Sequence, residues 1–221
     1  MAGCYNGDLA TKEDDRHGVD FTLRGPPFAI GEVGYRRNYG AGATGLPGNV
    51  KLGAYYNGGS SEVFGSGLAG RPGETVQARY GFYLLGDQAL ARWGDPAEKR
   101  HLGAFAAFVC APDQCVNVAP YFFDAGLVVY GFLPSRPRDF AGFGVAYGSY
   151  SGDLRRAEEV QAVTDPAVGV QSWEMTLEWN YGCAVKPGLL VQPSLQYLVN
   201  PGGNKAVANA LAIGVNVVFN F

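Results

Sequence analysis

Apolar and polar residues alternate along much of this chain with a period of two. In the terminal segment the apolar positions are Leu211, Ile213, Val215, Val217, Phe219 and Phe221. The intervening positions are small or polar, Asn216 and Asn220 among them. Because successive side chains of a strand point to opposite faces, this pattern predicts β-strands with one apolar and one polar face.

Strand signals recur through the whole sequence. They predict nine strands, at residues 27–38, 48–57, 78–92, 102–110, 120–133, 140–151, 171–184, 188–199 and 209–221. Many exceed the roughly 5–6 residues of a soluble strand and match the ~9–11 of a tilted membrane strand. Helical periodicity is nearly absent. The best helical candidate, 153–162, is short and polar and precedes Thr164-Asp165-Pro166, so we expect it to lie in a loop.

The alternation alone fits two architectures. A soluble β-sandwich buries its apolar faces, whereas an outer-membrane barrel turns them toward lipid. Connections on the Phe221 side are short, at 39–47, 93–101, 134–139 and 185–187. Those on the other side are generally longer, at 58–77, 111–119, 152–170 and 200–208. Together with aromatic residues near strand ends, this asymmetry favours an all-β, antiparallel transmembrane β-barrel segment of about nine strands.

Composition narrows the chemistry. The 221 residues include 33 glycines and only 17% charged residues, and the net charge of −3 provides no basic field for nucleic acid. Two histidines and four cysteines offer little for a metal site or acid–base catalysis. No apolar run approaches the ~20 residues of a spanning helix, and the first residues lack the apolar stretch of a signal peptide.

Motifs in a consistent order along the chain make it resemble the C-terminal half of the carbohydrate-selective porins of Gram-negative outer membranes, the OprB family. They include Glu32-Val33-Gly34-Tyr35 and Gln192-Pro193-Ser194-Leu195-Gln196-Tyr197. The others lie at 5–8, 17–21, 46–53, 81–84, 87–88, 138–139, 142–144, 174–181, 200–203 and Phe221. The resemblance implies half of a barrel of about 16 strands. It also implies passive diffusion of sugars and small polar solutes, with no cofactor, metal or covalent chemistry.

The same resemblance implies outer-membrane lipid and the barrel-assembly machinery as partners, and a homo-oligomer as one assembly. It identifies terminal Phe219 and Phe221 as the assembly signal. It also makes residues 1–221 a single porin-type domain truncated on its N-terminal side. The alternatives are a non-conducting fragment that cannot close and a soluble β-sandwich that binds carbohydrate.

Transport requires polar and aromatic side chains on the lumen face, because sugars bind through hydroxyl groups and stack their C–H faces on rings. Strand parity selects Glu32, Arg36, Lys51, Tyr55, Arg79, Tyr83, Asp87, Glu174, Glu178, Gln192 and Gln196 as solute-contact candidates. For each residue alone, a generally wetted lumen wall explains the pattern equally well. Residues i and i+4 of a strand lie roughly 13 Å apart, which disfavours Glu174 and Glu178 as a glycosidase pair.

Three local features remain. Cys110 and Cys115 flank a predicted external hairpin loop and could form a disulfide in an oxidising compartment. Arg136 and Asp139 share a predicted short turn, where an Arg–Asp pair would stabilise the turn and a solute-facing basic cluster is the alternative. The G-x-G-x-x-G run at 65–70 precedes Arg71-Pro72-Gly73 rather than a helix, so we expect an outer loop and no nucleotide site.

Overall fold

The described strands form a single antiparallel sheet, which contains more than half of the described residues. The computed structural model describes residues 1–7, 25–40, 42–70, 72–94 and 100–220. The motif residues Asp8 and 17–21 and the predicted assembly residue Phe221 lie outside this part. The strands are β1 Ala2–Asn6, β2 Pro27–Arg37, β3 Gly48–Glu62, β4 Thr75–Arg92, β5 His101–Cys110, β6 Tyr121–Tyr130, β7 Phe140–Ser149, β8 Trp173–Lys186, β9 Leu189–Val199 and β10 Ala210–Phe219. Every predicted strand is present, and β1 makes ten where nine were expected.

The sheet has the order β1 to β10, so each strand pairs with its neighbours in sequence. Such an up-and-down order is typical of the wall of an antiparallel barrel. Within the described residues, β1 pairs only with β2 and β10 only with β9, so the sheet is open. The expected sandwich alternative requires two packed sheets, and the described strands form one.

The strand connections keep the predicted asymmetry. At the end of the sheet where β10 terminates, the links are 38–47, 93–100, 131–139 and 187–188. At the other end the links reach 7–26 and 150–172. We call these the short-turn end and the long-loop end.

The expectation of an irregular loop at 153–162 is wrong, because Gly152–Ala162 is an α-helix, α1. Its N-cap is Ser151, whose hydroxyl accepts hydrogen bonds from the N–H groups of Asp153 and Leu154. The same hydroxyl donates to the carbonyl of Gln114 in another loop. The helix is held by its cap and by this contact between loops, and Ala157 is the only residue of α1 that is buried, so periodicity did not reveal it.

The two faces of the sheet differ in exposure as well as polarity. The apolar face carries Val33, 78% exposed, and Ile213, 79% exposed, with Leu52 and Val215 also exposed. Side chains on the polar face are more shielded, and the Glu32 side chain is only 13% exposed. The large apolar side chains therefore point away from the molecule, as lipid-facing residues do.

Aromatic residues crowd the apolar face near the long-loop end. Tyr80 packs edge-on against Phe82, with ring centres 5.9 Å apart, and Tyr147 stacks on Trp173 at the same distance. Tyr121 and Phe123 lie between these pairs on β6. A row of this kind matches the aromatic girdle at a membrane interface.

Buried residues lie mostly at the ends of the strands rather than within the sheet. Ser151, Asn200 and Val116 are buried in the loops of the long-loop end, and Asp139 is buried at the short-turn end. No helix in the described part of the chain has the length and apolarity needed to cross a bilayer.

Candidate solute-facing surface

The strand register brings all eleven solute-contact candidates onto the polar face. Glu32 is opposite Gly53, Gly53 is opposite Tyr83, and Glu178 is opposite Gln196. The remaining candidates follow by the two-residue repeat along their own strands. Residues far apart in sequence therefore share one surface.

One polar cluster lies on β2, β3 and β4. The Lys51 ammonium is 3.0 Å from a carboxylate oxygen of Glu32, and the Tyr83 hydroxyl donates to that carboxylate at 3.2 Å. Tyr83 reaches Glu32 because its ring lies across Gly53, where a side chain would collide with it. The positive charge of Lys51 and the negative charge of Glu32 neutralise each other, so the net charge of this cluster is small.

Asp87 extends this cluster toward the short-turn end. Its carboxylate accepts a hydrogen bond from Asn49 at 3.2 Å and from the Tyr39 hydroxyl at 3.4 Å. The Arg36 guanidinium lies 5.9 Å from the centre of the Tyr39 ring. The candidate set omitted Asn49 and Tyr39. Asn49 shares the parity of Lys51, so the strand pattern could have found it, whereas Tyr39 follows β2 and only the fold brings it to Asp87.

Tyr55 and Arg79 lie on the same face nearer the long-loop end. The Tyr55 ring covers Gly81 and stacks on Phe28, with ring centres 6.1 Å apart. Arg79 is opposite Asn57 in the ladder. This corner presents aromatic surface beside a cation.

A second cluster lies on β8 and β9. One Glu178 oxygen accepts from Asn180 at 3.1 Å, and the other accepts from Gln196 at 2.6 Å. The Glu174 carboxylate lies outside this cluster and accepts a hydrogen bond from the backbone N–H of Gly202, in a loop at the long-loop end. Gln192 lies opposite Asn216 of β10. Asn180, Asn216 and Asp124 belong to this polar face but were not among the candidates, although their strand parity marks them.

Charge is divided between the two halves of the polar face. The cations Arg36, Lys51 and Arg79 lie on β2 to β4. Asp124, Glu174 and Glu178 lie on β6 and β8. Within the described strands β5 to β10, the only lysine or arginine is Lys186 at the end of β8. The described strands of the second half of the face therefore present hydrogen-bond acceptors with few cations of their own.

Asp139 joins the 131–139 turn to β8. Its side chain, 2% exposed, pairs with Arg136 and accepts hydrogen bonds from the Tyr181 hydroxyl and the Ala184 N–H. Burial by itself would raise the pKa of this carboxyl, but the hydrogen bonds from Arg136, Tyr181 and Ala184 outweigh it and hold the pKa below its ordinary value. The expected turn-stabilising Arg–Asp pair is confirmed.

Cys110 and Cys115 are both free thiols in the structure, so the disulfide is not formed. The Cys115 thiol instead donates to a carboxylate oxygen of Asp113 at 2.9 Å. This hydrogen bond, together with burial, raises the pKa of Cys115 to about 11. Cys115 is therefore a weak nucleophile at neutral pH.

No group of three or more potential metal ligands occurs among the described residues. The glycine-rich run at 65–70 lies in the 63–74 connection and forms turns and a short 3-10 segment at Leu68–Gly70, with no α-helix after it. It does not have the strand–turn–helix context of a dinucleotide site.

Known proteins resemble this chain in both sequence and fold. Porin B of Pseudomonas aeruginosa is 30% identical over 191 residues, which are 80% of this chain and 42% of that protein. Putative porin QuiX of Acinetobacter baylyi is 26% identical over 191 residues, 80% of this chain and 41% of that protein. The high-pH structure of Pseudomonas putida OprB superposes with a TM-score of 0.83 at 27% identity and covers 92% of this chain and 51% of its own.

The chain thus spans about half the length of these relatives. The family model described as "Carbohydrate-selective porin, OprB family" matches residues 1–221. This chain belongs to the OprB family of carbohydrate-selective porins.

Proposed function

We propose that this chain forms part of the wall of an outer-membrane pore through which sugars and other small polar solutes diffuse passively. The observation that carries the proposal is the division of one continuous sheet into two faces. One face exposes large apolar side chains such as Val33 and Ile213, and the other collects the polar clusters. Lipid suits the first surface and a water-filled lumen suits the second.

Closure of the wall needs further strands. In the hydrocarbon region every unpaired backbone N–H and C=O costs several kcal/mol, so the open edges of β1 and β10 must pair. Additional strands of a longer polypeptide would pair them, and a second copy of this chain is the other source. In either case residues 1–221 belong to a single barrel domain, and the Gram-negative outer membrane is its location.

Folding is proposed to depend on the barrel-assembly machinery. Phe219, at the end of β10, projects 60% exposed from the apolar face, in line with Val215 and Val217. This apolar strand end, with Phe221 beyond it, is the proposed recognition element. The function involves no covalent chemistry.

Refolding the chain into detergent micelles tests the proposal. Samples are run on SDS gels with and without boiling and then added to planar bilayers. A barrel that resists SDS until boiled, together with stepwise conductance that glucose reduces, supports a sugar pore. A heat-shifted species that never conducts identifies a closed but non-conducting assembly. A chain that stays folded in water without detergent overturns the membrane assignment.

A further inference from the structure

The middle of the polar face contains a depression whose floor is formed by a glycine. It has a volume of about 270 Å³ and is lined mainly by polar-face residues, among them Phe105, Asp124, Gly144, Glu178 and Asn180. In the ladder, Phe105, Gly126, Gly144 and Glu178 are successive partners across β5, β6, β7 and β8. They form one transverse row, with strands ~4.8 Å apart.

An aromatic ring borders the floor of this row on one side. The Phe105 ring lies across Gly126, where an added side chain would collide with it, and its tip is 3.8 Å from the position of a Cβ at Gly144. At Gly144 such a Cβ would meet nothing closer than 3.6 Å. A small group above Gly144 would therefore be accommodated in ordinary van der Waals contact, with the tip of the Phe105 ring beside it.

Hydrogen-bond acceptors border the other side. Glu178 is the ladder partner of Gly144, and its carboxylate is oriented by hydrogen bonds from Asn180 and Gln196. Asp124 lies one step along β6, opposite Ala146, and accepts no hydrogen bond from the described residues. An aromatic surface with acceptors opposite it is the arrangement that binds a sugar ring, because the C–H face stacks and the hydroxyl groups donate.

Building on the proposed pore, we propose that this row is a subsite for one pyranose ring of a neutral sugar. Phe105 stacks against the ring, Gly144 provides the floor, and Glu178 and Asp124 accept its hydroxyl hydrogens. Among the described residues of β5 to β8, no lysine or arginine lies beside these two carboxylates. Their negative charge repels anions, so the subsite rejects sugar acids of the same size. On β2 to β4, by contrast, Arg36, Lys51 and Arg79 share the polar face with the acids, and Lys51 is paired with Glu32, so that half of the face lacks this preference.

Site-filling variants test the subsite. The probes are methyl glucoside and glucuronate, titrated against the refolded chain in detergent micelles by saturation-transfer difference NMR. Gly144→Leu fills the floor, and Phe105→Ala removes the platform. Gly148→Leu is the matched control for the first, because it lies on the same face of β7 with nothing within 4 Å of its Cβ position. Phe140→Ala is the control for the second, because its ring also lies across a glycine, Gly182.

We expect wild type to bind the glucoside and to bind glucuronate at least threefold more weakly. Gly144→Leu and Phe105→Ala raise the glucoside Kd roughly three- to tenfold, the range of one lost aromatic contact, while both controls stay within twofold. Glu178→Gln reduces the difference between the Kd values of the glucoside and of glucuronate. Equal losses in test and control variants, or no glucoside signal from wild type, overturn the subsite.

Conductance of the same samples separates this inference from the proposed function. If the chain binds glucoside at this row but forms no pore, the result supports the subsite and overturns the proposed pore. If the chain conducts sugar, but Gly144→Leu and Phe105→Ala bind the glucoside as tightly as wild type, the result overturns only the subsite. Phe105→Leu, which keeps an apolar side chain, replaces Phe105→Ala if the heat-modifiable gel shift shows that the alanine variant does not fold.

Discussion

At the residue scale, the best-defined site in this molecule is the buried carboxylate of Asp139. It is bound by Arg136, Tyr181 and the Ala184 N–H, three groups from the turn and from β8. Arg136 also donates to the Cys183 sulfur at 2.9 Å. A single side chain thus fixes the turn between β6 and β7 against the next strand.

Asp139→Asn therefore destabilises the folded chain. The amide N–H₂ group of asparagine faces donors where the carboxylate accepted, which costs about 1–3 kcal/mol. Urea unfolding of the refolded protein in micelles measures the loss. Arg138→Gln is the control, because Arg138 is an exposed residue of the same turn. An equal effect of both variants would show that the hydrogen bonds of Asp139 add no stability of their own.

The lowered pKa of Asp139 also predicts a pH dependence. The folded pKa lies below the ordinary aspartate value of about 3.9, so the stabilisation is fully present above that value and is lost as pH falls through the folded pKa. The stability difference between wild type and Asp139→Asn is thus constant from pH 7 to about pH 5 and shrinks at lower pH. Parallel unfolding titrations at several pH values measure it, and a gap that widens on acidification contradicts the assignment.

At the scale of elements, the loops of the long-loop end hold one another. Ser151 caps α1 and bonds to Gln114, the Gly152 N–H donates to the Gln114 side chain at 3.0 Å, and Gln171 contacts Glu158 of α1 through its backbone N–H at 2.7 Å. The Phe64 N–H donates to the carbonyl of Cys115 at 2.8 Å. The helix thus depends on neighbouring loops for its place.

Ser151→Ala removes the cap and the contact with Gln114 together. Losing an N-cap costs about 1 kcal/mol, and α1 buries only one residue, Ala157, that could compensate. We expect faster amide hydrogen exchange across residues 152–162, with the strands unchanged, as read by mass spectrometry. Thr164→Ala alters an exposed hydroxyl bond at the far end of the helix and is the comparison. Uniformly faster exchange in the sheet would instead mean that the cap supports the whole fold.

At the scale of the whole molecule, the apolar face decides what surrounds the protein. Val215 lies near the middle of β10 on that face, opposite Pro193. Asn216, its neighbour, lies on the polar face opposite Gln192. The pair differs in face but hardly in position along the strand.

Val215→Lys and Asn216→Lys therefore test which face of the sheet contacts lipid and which contacts water. In a bilayer, a lysine near mid-depth on the lipid face costs about 2–4 kcal/mol, while a lysine on the lumen face is tolerated. We expect folding into lipid vesicles, measured by the heat-modifiable fraction in urea, to fall strongly only for Val215→Lys. The same small effect for both variants would mean that lipid does not cover this face.

Much of this architecture followed from local sequence. Period-two alternation in β8 and β10 fixed both the strands and the face of each side chain, because strand geometry imposes that alternation regardless of partners. The family resemblance further predicted a porin-type barrel and its outer-membrane location. The short strand β1 carries too few residues to show a period, and the capped helix α1 buries a single residue, Ala157, so the hydrophobic pattern predicted neither as an element.

The meeting of particular side chains was decided only by tertiary structure. Sequence placed Glu32, Lys51 and Tyr83 on suitable faces, but their contact depends on the register of three strands, which turns and bulges set. The row from Phe105 to Glu178 crosses four strands and was invisible for the same reason. Alternation is a property of each strand alone, whereas a surface depends on how strands align.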